Sequence, residues 1–181
     1  VDSLFDVPTN GDQSDTGAGG EVSGNYAVMN ALVKGSGTTL SNGNLDIAAT
    51  GSAWNSVFGT IFVSSGKYYA EVTAIDVDSD YSTKRVGVGF ARSTDDLINS
   101  SFQTGDVIGV ALDMDAGTVT FYKNNTVQSG TFTGLSGYNC IAVSVHGSGG
   151  KASINFGQRD WAYSAPSNHK PLCTALLPTP T

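Results

Sequence analysis

Gly105-Asp-Val-Ile-Gly-Val-Ala-Leu-Asp-Met-Asp-Ala-Gly-Thr-Val-Thr-Phe-Tyr-Lys-Asn-Asn125 is the stretch whose reading decides the fold. Val107 to Leu112 is an apolar run with one Gly, a length that suits a strand better than a helix. Asp113-Met114-Asp115-Ala116-Gly117 then supplies turn chemistry, because Asp bonds its own backbone and Gly enters positive φ without steric cost. In Thr118 to Lys123, Val119 and Phe121 alternate with Thr118, Thr120 and Tyr122, the period of a strand with one buried face. A hairpin results. One hairpin cannot bury both of its faces, so further strands must surround it.

Working outward, several segments supply them. Asn25 to Leu32 reads as a short strand or turn, and Leu40 to Ile47 carries Asn42-Gly43 between alternating residues, a strong hairpin signal. Val57 to Val63 is the next strand, with Trp54 just ahead of it. Lys67 to Ile75 puts Tyr68, Ala70, Val72 and Ala74 on one face and Tyr69, Glu71, Thr73 and Ile75 on the other. Arg85 to Ala91 follows the acidic loop Asp76 to Tyr81. Arg92 to Thr104 reads as a connection with one short helical turn. Cys140 to Val145 and Ala152 to Phe156 flank the turn His146-Gly147-Ser148-Gly149-Gly150. Nine or ten strands at short spacing predict an all-β, antiparallel two-sheet sandwich. The expected boundaries are an N-terminal arm over 1–25, the sandwich over 26–157 and a Pro-rich C-terminal tail over 158–181, which hugs the domain or leads to a neighbour.

Composition bounds the function. The 181 residues, 39% hydrophobic and 14% charged, suit one domain with a core of its own. The net charge of −7 rests on 14 Asp and two Glu, so the acidity falls mostly on turns. With nine Lys plus Arg and no basic run, binding to nucleic acid or to an anionic membrane is disfavoured. No apolar run reaches the roughly 18 residues of a membrane span, and the first residues lack the pattern of a signal peptide. A start at Val1 rather than Met suggests a processed or excised piece of a longer chain. Cys140 and Cys173 permit one disulfide without requiring it, and Cys140, in a strand, reads as a small buried hydrophobe.

Catalytic patterns are sparse. No Ser carries Gly on both sides at the spacing of a nucleophile elbow, and His146 and His169 are the two possible imidazole bases. Gly66-Lys67 and Gly150-Lys151 lack the rest of a phosphate loop and read as turns. Glu71 is a candidate glycosidase acid, against the expectation that it faces solvent or pairs with Lys67 or Arg85. Asp76, Asp78 and Asp80 alternate and form a weak candidate for Ca²⁺, although Tyr81 and Gly87 stand where an EF-hand loop needs Gly and Glu. No cofactor is expected. Trp54, Tyr81, Trp161 and Tyr163 lie in or beside loops, where rings stack on sugars, anchor a protein partner or pack on the rim.

The strand wording also carries a resemblance. Gly66-Lys67-Tyr68-Tyr69-Ala70-Glu71-Val72, Arg85-Val86-Gly87-Val88-Gly89-Phe90-Ala91, Gly105 to Asn125, and Asn155-Phe156-Gly157 resemble, in order, the signature blocks of SPRY domains. The sequence departs at Ala70, where the family usually has Trp, and at Asn125, where it usually has Gly. Asp6-Val7-Pro8-Thr9-Asn10, the hairpin from Leu40 to Asp46, and the stretch from Gly157-Gln158-Arg159 through Leu172-Cys173-Thr174-Ala175 look like segments that accompany SPRY-like modules in bacteriophage structural proteins.

The resemblance implies a bent, concanavalin A-like sandwich without chemistry of its own, gripping partners through end loops. Family peptide sites map onto Arg92 to Asp96 and onto Val145-His146-Gly147. Together with the loop residues Trp54, Asp78, Asp80 and Tyr81, the expected ligand-binding residues are Arg92, Asp95, Asp96, His146 and Gly147. The expected setting is a virion assembled in the host cytoplasm, within a tail fibre, spike or capsid-surface protein. The expected partners are a host protein or surface glycan, or neighbouring virion subunits, with the chain part of a longer protein or a homo-oligomer. A lectin-like carbohydrate binder is the alternative, and a glycoside hydrolase a third reading.

Overall fold

A computed structural model describes residues 25–78, 83–91, 97–98, 102–129 and 131–178. Thirteen strands lie among them: β1 (Met29–Lys34), β2 (Thr38–Ser41), β3 (Asp46–Ala49), β4 (Asn55–Gly59), β5 (Lys67–Asp76), β6 (Arg85–Ala91) and β7 (Leu97–Ile98), then β8 (Val107–Asp113), β9 (Thr118–Lys123), β10 (Thr126–Val127), β11 (Phe132–Thr133), β12 (Cys140–His146) and β13 (Lys151–Asn155). They form two antiparallel sheets. The smaller has the order β1-β4-β12-β6-β7; the larger has β10-β9-β8-β5-β13-β3-β2, with β11 also paired to β9. The all-β two-sheet sandwich expected from the alternation is the architecture observed.

The central hairpin closes as its residues dictate. Leu112 pairs with Val119 and Asp113 with Thr118. The Asp113 carboxylate accepts the N–H groups of Asp115 and Ala116 at 3.1 and 2.9 Å, and Gly117 adopts φ +64°. At the far end of β9, Asn124 and Asn125 both take left-handed φ, 48° and 66°, which makes a two-residue hairpin turn between Lys123 and Thr126. Asn at 125 thus does what Gly would do there, because its short polar side chain tolerates this region. The strand this turn launches, β10, and the later β11 carry no signal in the sequence because two-residue pairings have no period.

β5 shows how the layers bury its residues. Tyr68, Ala70, Val72 and Ala74 face the core, together with Val57, Val88 and Val143 of the opposite sheet. Ala70, the site of the missing Trp, is fully buried, and the large rings of the core are Tyr68, Phe102, Phe121 and Phe156. Cys140 is buried beside Ala142 and Phe58, as a small hydrophobe.

One expectation is corrected. The strand read over Val57 to Val63 spans Asn55–Gly59, because the Thr60 N–H turns to the Val28 carbonyl (2.8 Å) and Val63 makes an isolated bridge to Asn139. After β6, Leu97–Ile98 pairs with Gly89 and Val88, and the rest of the expected helical turn, over 92–96 and 99–101, lies outside the described residues.

Residues 158–178 lie against the larger sheet. Lys170 bridges Tyr68 in parallel, Leu172 is fully buried, and the Leu172 carbonyl accepts the Ala27 N–H at 2.8 Å.

Candidate functional site

Antiparallel register places the candidate site. β12 runs against both β4 and β6, so Val145 faces Asn55 and His146 faces Arg85. Trp54, one residue ahead of β4, therefore meets His146, the last residue of β12. Their ring centroids are 5.2 Å apart with planes tilted by 51°, and Trp54 remains 38% exposed.

One carboxylate joins Asp78 to Thr83 and Lys84, which precede β6. Asp78 accepts the Thr83 hydroxyl, the Thr83 N–H (3.1 Å) and the Lys84 N–H (2.9 Å), while its own N–H donates to the Lys84 carbonyl (3.2 Å). Asp76 receives the Lys84 ammonium at 3.1 and 3.2 Å. His146 then ties these residues to β12, with Nδ1 2.6 Å from the Thr83 carbonyl oxygen. A carbonyl only accepts, so Nδ1 is the donor in this bond. Gly147, at φ +79°, packs so close that any Cβ would run into the Thr83 carbonyl. The glycine turn is fastened as well, with the Gly149 N–H on Ala49 O (2.9 Å) and the Ala49 N–H on Gly150 O (2.8 Å). An exposed aromatic face on loops braced this way is a pre-set contact surface.

The structure sorts the residues expected at the site. Trp54, Asp78, His146 and Gly147 converge at one end of the sandwich. Asp80 and Tyr81, and likewise Arg92, Asp95 and Asp96, lie outside the described residues. Ala91 pairs with Cys140 at the start of β12, whereas Gly147 follows its end. The seven residues of β12 span about 20 Å. Of the weak Ca²⁺ candidates, Asp76 is engaged by an ammonium and Asp78 by three donors. Among the described residues no three His, Cys, Asp or Glu gather as a metal site. Thr83 and Lys84 were missed, although their place five and six residues after Asp78 and just before β6 is the spacing of a loop closed on an Asp.

Glu71 requires a correction. It is only 4% exposed and does not pair with Lys67, which instead meets Asp113 at 2.7 Å. Its carboxylate accepts the N–H of Ala162 (2.7 Å), the N–H of Tyr163 (3.0 Å) and the Tyr69 hydroxyl (3.2 Å). The physical reason is the C-terminal segment, which covers the outer face of β5 and brings Trp161 edge-on to Tyr69 at 5.1 Å. Burial and the neighbouring Glu71 charge push the Tyr69 phenol well above its ordinary pKa. A carboxylate occupied by three donors is a structural anchor, and Trp161 and Tyr163 serve the rim packing.

A family model described as SPRY domain matches residues 63–159. No curated protein matches the sequence. Among solved structures, the SPRY domain of human HERC1 is similar at 20% identity and a TM-score of 0.58, over 73% of this chain and 99% of that one. The PSpry domain of TRIM65 is similar at 16% identity and 0.53, over 72% and 92%. Stonustoxin is similar at 20% identity and 0.50, over 72% of this chain and 27% of the toxin. At these identities the structural likenesses establish the fold.

Proposed function

Since this chain belongs to the SPRY domain family, whose members are generally protein–protein interaction modules, we propose that it is a binding module that seats a partner protein on the end carrying Trp54, His146 and the loop closed on Asp78. The observation that carries this reading is the exposed Trp54 ring fixed against His146 on loops braced by Asp78 and Gly147. Partly exposed aromatic rings on rigid supports are the residue type that dominates interface energies.

The setting we propose is a bacteriophage virion, in a tail fibre, spike or capsid-surface protein, with a host receptor or a neighbouring virion subunit as the partner. Support comes from the wording of the flanks, Asp6 to Asn10, Leu40 to Asp46 and Gly157 to Ala175. The module works by contact and makes or breaks no covalent bond.

Surface plasmon resonance of the immobilised chain against the products of neighbouring genes, and against host envelope proteins, tests both parts. Trp54→Ala is expected to weaken the complex by roughly tenfold or more, about 1.4 kcal/mol, with the melting temperature unchanged. A partner bound equally well by Trp54→Ala and His146→Ala would remove the end loops from the interface. Genes for signalling proteins on either side would remove the virion.

A further inference from the structure

We propose a second binding site, away from the end loops, that takes a carboxylate-bearing sugar of the hexuronic acid type. It is a cleft of about 430 Å³ on the outer face of the larger sheet, over β2, β3 and β13. That size lies within the usual range for small-molecule sites, about 300–1,000 Å³.

Strand alternation builds the cleft. Ile47, Ala152 and Ile154 point into the core, so Asp46, Ala48, Lys151 and Ser153 point outward together. Arg159 closes one wall. Its guanidinium reaches back along β13 and donates to the Ile154 carbonyl at 3.4 Å. Lys151 lines the same cleft from the beginning of that strand. Asp76, opposite Lys151 in the ladder, gives its carboxylate to Lys84. Neither Lys151 nor Arg159 has a carboxylate partner among the described residues, whereas Lys67, Lys84 and Lys123 each do. Two unneutralised cations lining one cleft stand out in a chain of net charge −7.

The remaining lining selects the ligand. A site for phosphate or sulfate would gain nothing from an acid, yet Asp46 lines this cleft beside the cations. A ligand with one anionic group and several hydroxyls uses both: the anion meets Lys151 and Arg159, and hydroxyls donate to Asp46 and exchange bonds with Asn42 and Ser153. Ala48 and the 46% exposed Ile75 offer an apolar strip for the C–H face of a pyranose ring. An acidic peptide would satisfy the cations but not the acid.

Titration of the ¹⁵N-labelled chain with D-glucuronate, D-glucose, acetate and inorganic phosphate, at constant ionic strength, tests the assignment. Glucuronate is expected to shift the amides of Ala48 and Ser153 saturably, at concentrations about tenfold below those needed for the other three. Lys151→Gln combined with Arg159→Gln is expected to raise the dissociation constant about tenfold or more with an unchanged melting temperature. Lys151→Gln alone, at an exposed position, serves if the double variant does not fold. Asp46→Asn is expected to reduce the preference for glucuronate over acetate. Absence of shifts at the cleft, equal binding of acetate or phosphate, tighter binding of a glutamate-rich peptide, or undiminished binding by the variants would each overturn the proposal. Trp54→Ala is expected to leave this site intact, so its failure and that of the end-loop interface are read separately.

Discussion

Glu71 accepts the backbone N–H groups of Ala162 and Tyr163 across 91 and 92 residues of chain, and receives the Tyr69 hydroxyl from its own strand. Glu71→Gln would leave one acceptor oxygen and turn an amide NH₂ toward these donors. The expected loss is about 2 kcal/mol, since hydrogen bonds to a charged group contribute about 1.5–3 kcal/mol. Urea unfolding of the variant checks it, and an unchanged midpoint would mean that the segment is held by its other contacts. Gly109 is the companion position. It pairs with Glu71 on β8, and a Cβ there would collide with the Tyr69 hydroxyl and ring. Gly109→Ala should therefore cost about 1–3 kcal/mol, the usual range for overpacking. In a Tyr69→Ala background that cost should shrink, because the two changes share one contact. Neither role is legible locally: alternation puts Glu71 on the outer face of β5, and an outer face of an antiparallel sheet is by default a wet one.

Among the elements, the hairpins were the legible part. Asn42, Gly43 and Asn44 turn between Ser41 and Asp46 with φ of 52°, 63° and 64°, which is the conformational freedom those residue types advertise. β7, β10 and β11 were not legible, since each has two residues and exists only because a longer strand offers an edge. The C-terminal segment is the element whose contribution tertiary contacts define. Leu172 is fully buried, its N–H donates to the Phe156 carbonyl at 3.0 Å, and its carbonyl ties it to Ala27. Leu172→Ala should lower stability by about 2–5 kcal/mol, the range for truncating a buried Leu. Chemical denaturation of the full chain measures it. A loss below about 1 kcal/mol would show that the segment closes over the vacancy.

For the whole molecule, two carboxylates brace the larger sheet and set its acid response. Asp106 holds the Gln103 N–H and the Asn124 side chain, both at 2.7 Å, and the Lys123 ammonium at 2.8 Å; Asp113 holds Lys67 and the turn amides. Burial alone would raise both pKa values. The donors outweigh it, and both carboxyls sit below their ordinary value. A folded pKa below the unfolded one stabilises the fold above the unfolded value, about 3.9, and that contribution is lost as pH falls through the folded pKa. Melting temperature should thus fall as pH drops below about 4, and less steeply in Asp106→Asn and Asp113→Asn. A flat profile down to strong acid would contradict the assignment. Tyr69 acts at the other extreme: its raised pKa means stability fully present below the unfolded value, about 10, and lost as pH rises through the folded one.

By itself, the sequence determined the strand alternation, the Asn- and Gly-bearing turns, the two-layer all-β class and the family blocks, because each is encoded within a few neighbouring residues. Tertiary structure decided the rest. It brought Trp54 onto His146, joined Asp78 to Thr83 and Lys84 and Thr83 to His146, buried Glu71, and gathered Lys151, Arg159 and Asp46 around one cleft. Those placements follow from which strand pairs with which and in what register. That choice is made by the free energy of burying two whole faces at once, and no local window of residues contains it.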